Sequence, residues 1–210
     1  MQINFFLDTV CGWCYVGNER LNQALDQLNL SKNIVNYLPF QLNPSMPSEG
    51  MDREEYVKNK FGSFINAKPM YDNMIIHGEQ ENLQIKLDKI KRTPNTTKSH
   101  LLIEFARKKN IESKLIKDLF NIYFTKGKDI GNDDVLLSLA KKNNLNLNEV
   151  SNYLNNDENQ NKMKQHDIKI KKSGVTAVPF YIFNDEVSIS GAQSVKKITD
   201  TISNICNEKK

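Results

Sequence analysis

The feature that most restricts this chain is the pair Cys11 and Cys14 in "DTVCGWCYVG". The pair sits at a joint. Before it runs "INFFLD", residues 3–8, a mostly apolar run of strand length; after it Val16, Leu21, Leu25 and Leu28 recur at helical spacing. A C-x-x-C pair is half of a zinc site, a redox couple, or structurally inert. Zinc needs two more ligands, and neither the distant Cys206 nor His77, His100 or His166 completes a usual spacing. At a helix N-terminus, unpaired N–H groups and the positive end of the macrodipole favour a thiolate by about 0.3–2 kcal/mol. Cys14, one turn on, is placed to close a disulfide with Cys11. The pattern therefore makes Cys11 the attacking thiol and Cys14 the resolving one.

The rest of the chain indicates what surrounds the joint. "IVNYLPFQLN" reads as a second strand and ends in the turn-rich "NPSMPSEGM", giving a βαβ unit within about the first 45 residues. From Asp52 to about Ser173 helical periodicity dominates. Leu101, Leu102, Phe105 and Ala106 share one face, Leu115, Leu119, Ile122 and Tyr123 another, and Asn132 reads as an N-cap before acidic residues. Strand signals return in "VPFYIFND" and "VSISGA", joined at Asn184-Asp185-Glu186 as a hairpin. A last amphipathic helix turns Val195, Ile198, Ile202 and Ile205 inward. The expectation is an α/β protein with one discontinuous domain, residues 1–45 and 174–210, and an all-helical insertion, residues 46–173, between its βαβ and ββα halves.

Composition excludes several functions. With 39% hydrophobic and 26% charged residues, the chain has no apolar run near the roughly 20 residues that span a bilayer. The net charge of +4 is mild, and its denser stretches alternate with apolar residues, so nucleic acid is not an expected partner. The start "MQINFFLDTVC" lacks a basic n-region, which predicts no signal peptide and a cytoplasmic location. Three cysteines in that compartment do not form a disulfide framework, so the C-x-x-C is catalytic or metal-binding before it is structural.

In "GVTAVPFYIF", Pro179 cannot donate to a ladder, which places it at the start of an edge strand. A trans bond is the ordinary form there; a cis Val178–Pro179 bond would let the chain turn sharply.

Beyond the cysteines, "PFQLNPSMPSEGMDREEYVKNKFG", "RTPNTTKSHLLIEFA", "LFNIYFTKGKDIGNDDVLLSLA" and "GVTAVPFYIFNDEVSISGAQ" stand in the same order as in a known group. The chain resembles the DsbA family of thioredoxin-fold oxidoreductases, specifically its FrnE-like subgroup, related to 2-hydroxychromene-2-carboxylate isomerases and kappa-class glutathione transferases. The resemblance implies a thioredoxin fold with a helical insertion and a cis Pro179. It also implies that Val178 offers backbone groups to an extended substrate, and that Asn95 and Thr96 and the 43–51 loop lie near the cysteines. His100 falls where the subgroup often has a histidine, read as packed and hydrogen-bonded rather than as an acid or base.

Two departures matter. The subgroup usually has proline where Gly12 stands; a helix-propensity difference of up to about 1 kcal/mol would move the redox potential by about 20 mV. Trp13 replaces the histidine of strongly oxidising periplasmic relatives, which predicts a milder couple suited to reduction or isomerisation. The expected function is thiol:disulfide exchange on disulfide-containing proteins or small thiols, with no bound cofactor or metal and with glutathione as a candidate redox partner or cosubstrate. The first alternative is a glutathione-dependent isomerase or transferase, although such relatives typically carry serine in place of Cys11. The second is a non-catalytic, chaperone-like binder using Met46, Met51, Met70 and Met74, which otherwise read as core filler. Cys206 reads as a half-buried free thiol, or else as a third redox partner or intermolecular bridge.

Overall fold

In the computed structural model, which describes residues 1–207, the first apolar run forms β1 (Ile3–Leu7) and the helix after Cys11 forms α1 (Gly12–Gln27). β2 (Val35–Pro39) then pairs parallel with β1, Phe5 opposite Tyr37. Parallel neighbours require a crossover, and α1 supplies it. Near the other end, β5 (Phe180–Phe183) and β6 (Val187–Ser190) form an antiparallel hairpin. Its turn holds Asn184 and Asp185 at φ 50° and 60°, a left-handed conformation that these short polar side chains tolerate. The sheet order is β2-β1-β5-β6, with β5 antiparallel to β1. The α/β thioredoxin fold with helices between its two halves is thus the architecture found.

β5 is an interior strand, not the edge strand expected after Pro179. The ladder admits the proline because pairing starts one residue later, at Phe180 opposite Phe6. Pro179 contributes only its carbonyl, which accepts from the Gly191 N–H at 2.8 Å.

Between β2 and β5 the chain is mostly helical. α2 (Arg53–Phe61) and α3 (Phe64–Gln80) are capped by Asp52 and Ser63, whose side chains accept first-turn N–H groups. α4 (Thr97–Arg107) and α5 (Glu112–Phe120) follow, and α5 runs on into a π-helical turn over Asn121–Thr125. α6 (Asp133–Lys142) is capped by Asn132, with Asp133 and Asp134 at its start and Lys141 and Lys142 at its end, each sign complementing the macrodipole. α7 (Leu147–Leu154) and α8 (Asp157–Lys172) complete the block, and α9 (Val195–Asn207) closes the described chain. The block also contains a two-stranded ladder of β3 (Met51–Asp52) and β4 (Arg92–Thr93), too short to leave an alternating pattern in the sequence.

Alternation in β1 divides the core. Ile3, Phe5 and Leu7 join Tyr37, Tyr181 and Phe183 in a buried cluster continuous with α1, α9 and the helical block. Phe5 and Tyr181 stack at 4.6 Å. On the opposite face Phe6 and Phe40 pack with Ile170 of α8 and Val175. The C-terminal end of β1 is buried on both faces, and the cysteines follow directly.

Candidate active site

Cys11 is the N-cap of α1, with φ −90° and ψ 111°. Its Sγ accepts the Cys14 N–H at 3.3 Å, and its carbonyl accepts the N–H groups of Cys14 and Tyr15. The thiol is aimed at the Val178 carbonyl, 3.8 Å away. The Val178–Pro179 peptide bond is cis. Cys11, on the β1–α1 joint, and Val178, just before β5, are therefore neighbours because β1 and β5 are paired.

Cys14 lies behind Cys11 with no exposed surface, and both are free thiols. Burial pushes the Cys14 thiol well above its ordinary range, and the hydrogen bond and charge of Cys11 push the same way. A backbone hydrogen bond from Asp8 opposes them.

Two glycines let neighbours approach this helix. A Cβ on Gly12 would lie 2.0 Å from Met74 Sδ of α3, and one on Gly17 would lie 2.3 Å from Tyr181 Oη and 3.2 Å from Pro179 Cγ. Tyr181 is fully buried, and its hydroxyl has no hydrogen-bond partner among the described residues. Burial, with the charges of Cys14 and Cys11 behind it, pushes the Tyr181 phenol up as well.

Trp13, partly buried, meets His77 of α3, ring centroids 5.4 Å apart. His77 Nδ1 lies 3.1 Å from Arg20 Nη2, which can only donate. Arg20 is paired in turn with Glu81 at 2.6 Å and bonds the Ala192 carbonyl at 2.8 Å. Arg20, which reaches Trp13 through His77, is therefore matched by a carboxylate. Nothing in the local pattern near Cys11 announces this chain of contacts, because its members come from α1, the end of α3 and the β6–α9 loop.

His100 is buried and hydrogen-bonded. Its Nε2 lies 3.2 Å from Asp8 Oδ1, and Asp8 Oδ2 accepts the Leu42 N–H at 2.8 Å. The Asp8 carbonyl accepts the Cys11 N–H at 3.0 Å. Asp8 thus fixes the joint between β1 and α1, a role the sequence reading missed; a lone acidic residue closing an apolar strand was the available signal.

The hydrogen bonds of Asn95 and Thr96 run to neighbouring loops. Asn95 Nδ2 donates to the Met46 carbonyl at 2.7 Å, and Asn95 Oδ1 accepts the Thr97 N–H at 2.9 Å. The Gln41 amide reaches Thr97 Oγ1 at 3.0 Å and Thr96 Oγ1 at 3.5 Å. Asn95 and Ser48 of the 43–51 loop line a cleft of about 480 Å³ with Arg92, Asp129 and Asp133, and the cysteines are not among its walls. Asn95 therefore joins its loop to the 43–51 loop, and its bonds do not run to the cysteine pair.

Of the four methionines, Met46 and Met74 are buried while Met70 is 40% exposed, so they do not form one surface. Cys206 is exposed rather than half-buried. It follows the buried Ile205 by one residue, which turns it to the outer face of α9. Among the described residues no helix is long and apolar enough to cross a membrane, and no three His, Cys, Asp or Glu side chains gather as metal ligands.

Comparison with known proteins gives this geometry a context. Residues 2–203 match the family model described as a DSBA-like thioredoxin domain. Among solved structures, the chain is similar to the probable DsbA oxidoreductase SCO1869 of Streptomyces coelicolor, with a TM-score of 0.86 and 22% identity over 99% of this chain and 91% of that one. It is also similar to a 2-hydroxychromene-2-carboxylate isomerase, with a TM-score of 0.77 and 13% identity over 100% and 98%. The cytosolic disulfide reductase DsbM of Pseudomonas aeruginosa, solved with GSH, superposes with a TM-score of 0.68 and 12% identity over 99% and 100%.

Proposed function

We propose that this chain, which belongs to the DSBA-like thioredoxin domain family, is a thiol:disulfide oxidoreductase whose redox couple is Cys11 and Cys14. The observation that carries the reading is the asymmetry of the pair. Cys11 caps α1, accepts the Cys14 N–H, lies beside the Val178 carbonyl and, though buried, keeps 7% of its surface exposed, whereas Cys14 has none.

The chemistry follows from that asymmetry. The Cys11 thiolate attacks one sulfur of a substrate disulfide, forming a mixed disulfide and expelling the other sulfur as a thiolate that takes up a proton. Cys14 then loses its proton and attacks Cys11 Sγ, closing the Cys11–Cys14 disulfide and releasing the second substrate thiol. The substrate gains two electrons and the pair loses two. A thiol reductant returns them; glutathione can do so where it is held in large excess over its own disulfide, in keeping with the glutathione-bound structural neighbour. Val178 offers backbone groups to the substrate segment, and Pro179, packed against Gly17, holds that segment in place.

The direction of electron flow rests on Cys14. To reopen the internal disulfide, Cys14 must leave as a thiolate, and a thiol pushed up by burial is a poor leaving group. The reduced pair is thereby a good donor, which favours reduction and isomerisation over net oxidation. Equilibration in glutathione buffers, with the disulfide located by mass spectrometry, tests this. The expected product is an intramolecular Cys11–Cys14 disulfide whose midpoint is more reducing than glutathione's own; a midpoint more oxidising than glutathione's would reverse the assigned direction.

The similarity to 2-hydroxychromene-2-carboxylate isomerase supports a second reading, a glutathione-dependent isomerase or transferase. That reading requires an activity that needs glutathione and survives loss of Cys14.

A further inference from the structure

The first turn of α1 lacks a side chain at residue 12, and the space is filled by another part of the chain. An ideal Cβ on Gly12 would lie 2.0 Å from Met74 Sδ, 2.9 Å from Cε and 3.2 Å from Cγ. The first two distances are overlaps, not contacts. The backbone does not explain the glycine, since Gly12 is not among the residues with positive φ. The occupied space does. Met74 comes from the middle of α3 and is only 5% exposed, so its thioether is buried as part of the cover over this turn.

We propose that Met74 is a positioning residue for the cysteine pair, and that residues 12 and 74 act as one unit: the side chain missing at 12 is supplied by 74. The inference rests on the redox reading of Cys11 and Cys14. Gly12 lies between the two cysteines, and the Cys14 N–H just beyond it donates to Cys11 Sγ at 3.3 Å. The strength of that bond depends on how the turn sits and on whether water competes for its N–H groups. A thioether pressed onto Gly12 controls both, because it holds the turn and keeps it dry. The arrangement also accounts for glycine where the resembled subgroup usually has proline. Any residue with a Cβ, alanine or proline alike, reaches for the space Met74 already fills.

Methionine is unbranched and flexible, so a side chain introduced at 12 displaces Met74 more readily than it distorts the helix. Gly12→Ala is therefore expected to fold and to change the site. Met74→Ala removes the cover directly, and Met74→Leu keeps most of its volume.

The experiment measures two quantities on reduced and oxidised wild type, Gly12→Ala, Met74→Ala, Met74→Leu and the Gly12→Ala/Met74→Ala double variant. One is the equilibrium constant of the Cys11–Cys14 disulfide against glutathione. The other is the alkylation rate of Cys14 by iodoacetamide, read by mass spectrometry. Each single alanine variant is expected to shift the equilibrium about fivefold to tenfold, the upper figure being about 30 mV. The double variant is expected to fall at least threefold short of the product of the two shifts, and Met74→Leu to stay within twofold of wild type. Met74→Ala is expected to alkylate at Cys14 about tenfold faster. A merely structural Met74 would lower stability while leaving both readouts within twofold of wild type, and that result overturns the proposal. So does multiplicative behaviour of the double variant. If no Cys11–Cys14 disulfide forms in any variant, the redox reading fails, and the alkylation rates alone decide whether Met74 covers the pair.

Discussion

Replacing Cys11 by serine is expected to lower disulfide exchange by on the order of a thousandfold or more, with the fold left in place. The two halves of this expectation come from the same residue doing two jobs. As N-cap of α1, Cys11 presents a side-chain acceptor to the Cys14 N–H. A serine hydroxyl accepts the same bond and is among the best N-caps, so stability should move by less than about 1 kcal/mol. As attacking group, however, serine has no accessible anion near neutral pH and cannot form the mixed disulfide. Insulin or glutathione-disulfide reduction reads the first effect, and thermal unfolding of the reduced protein reads the second. A glutathione-dependent isomerase or transferase activity that survives in Cys11→Ser would instead favour the second reading, since relatives of that kind typically carry serine there.

Asp8→Ala is expected to destabilise the protein by about 2–4 kcal/mol, because it removes the acceptor of two hydrogen bonds from a buried site. Asp8 has no exposed surface, and its carboxylate serves both His100 and the Leu42 N–H. Alanine leaves the buried His100 and the part-buried Leu42 N–H without their partner. It also loosens the residue whose carbonyl accepts the Cys11 N–H, so exchange activity should fall together with stability. Urea unfolding of the reduced variant checks the magnitude. Asp8→Asn keeps the shape and part of the hydrogen bonding, and should recover a good part of the loss; equal losses in the two variants would show that charge rather than hydrogen bonding holds the joint.

Local signals were legible in the sequence where the structure is locally determined. Strand, helix and strand around the cysteines, the Asn184–Asp185 turn, the Asn132 cap and the inward face of α9 each follow from periodicity or turn chemistry, and each is found. What escaped depends on pairs far apart in the chain. Met74 meets Gly12, His77 meets Trp13 and Asp8 meets His100 only after α3 and α4 fold back over α1. No period or spacing encodes such meetings. Pro179 was misplaced for a related reason: its missing N–H was correctly read as excluding it from a ladder, but a residue just before an interior strand satisfies that condition as well as one on an edge. The position of Asn95 was inferred from resemblance alone, and its bonds to Met46 and Thr97 leave it as a loop-to-loop brace.

The division of labour between the two cysteines is the centre of the account, and trapping with Cys14→Ser tests it most directly. The purified variant, incubated with a protein disulfide substrate and quenched in acid, should accumulate a mixed disulfide on Cys11. Mass spectrometry should place it there, it should disappear on reduction, and it should be absent from Cys11→Ser. An adduct confined to the exposed Cys206, or no adduct at all, would contradict the assignment of Cys11 as the attacking thiol.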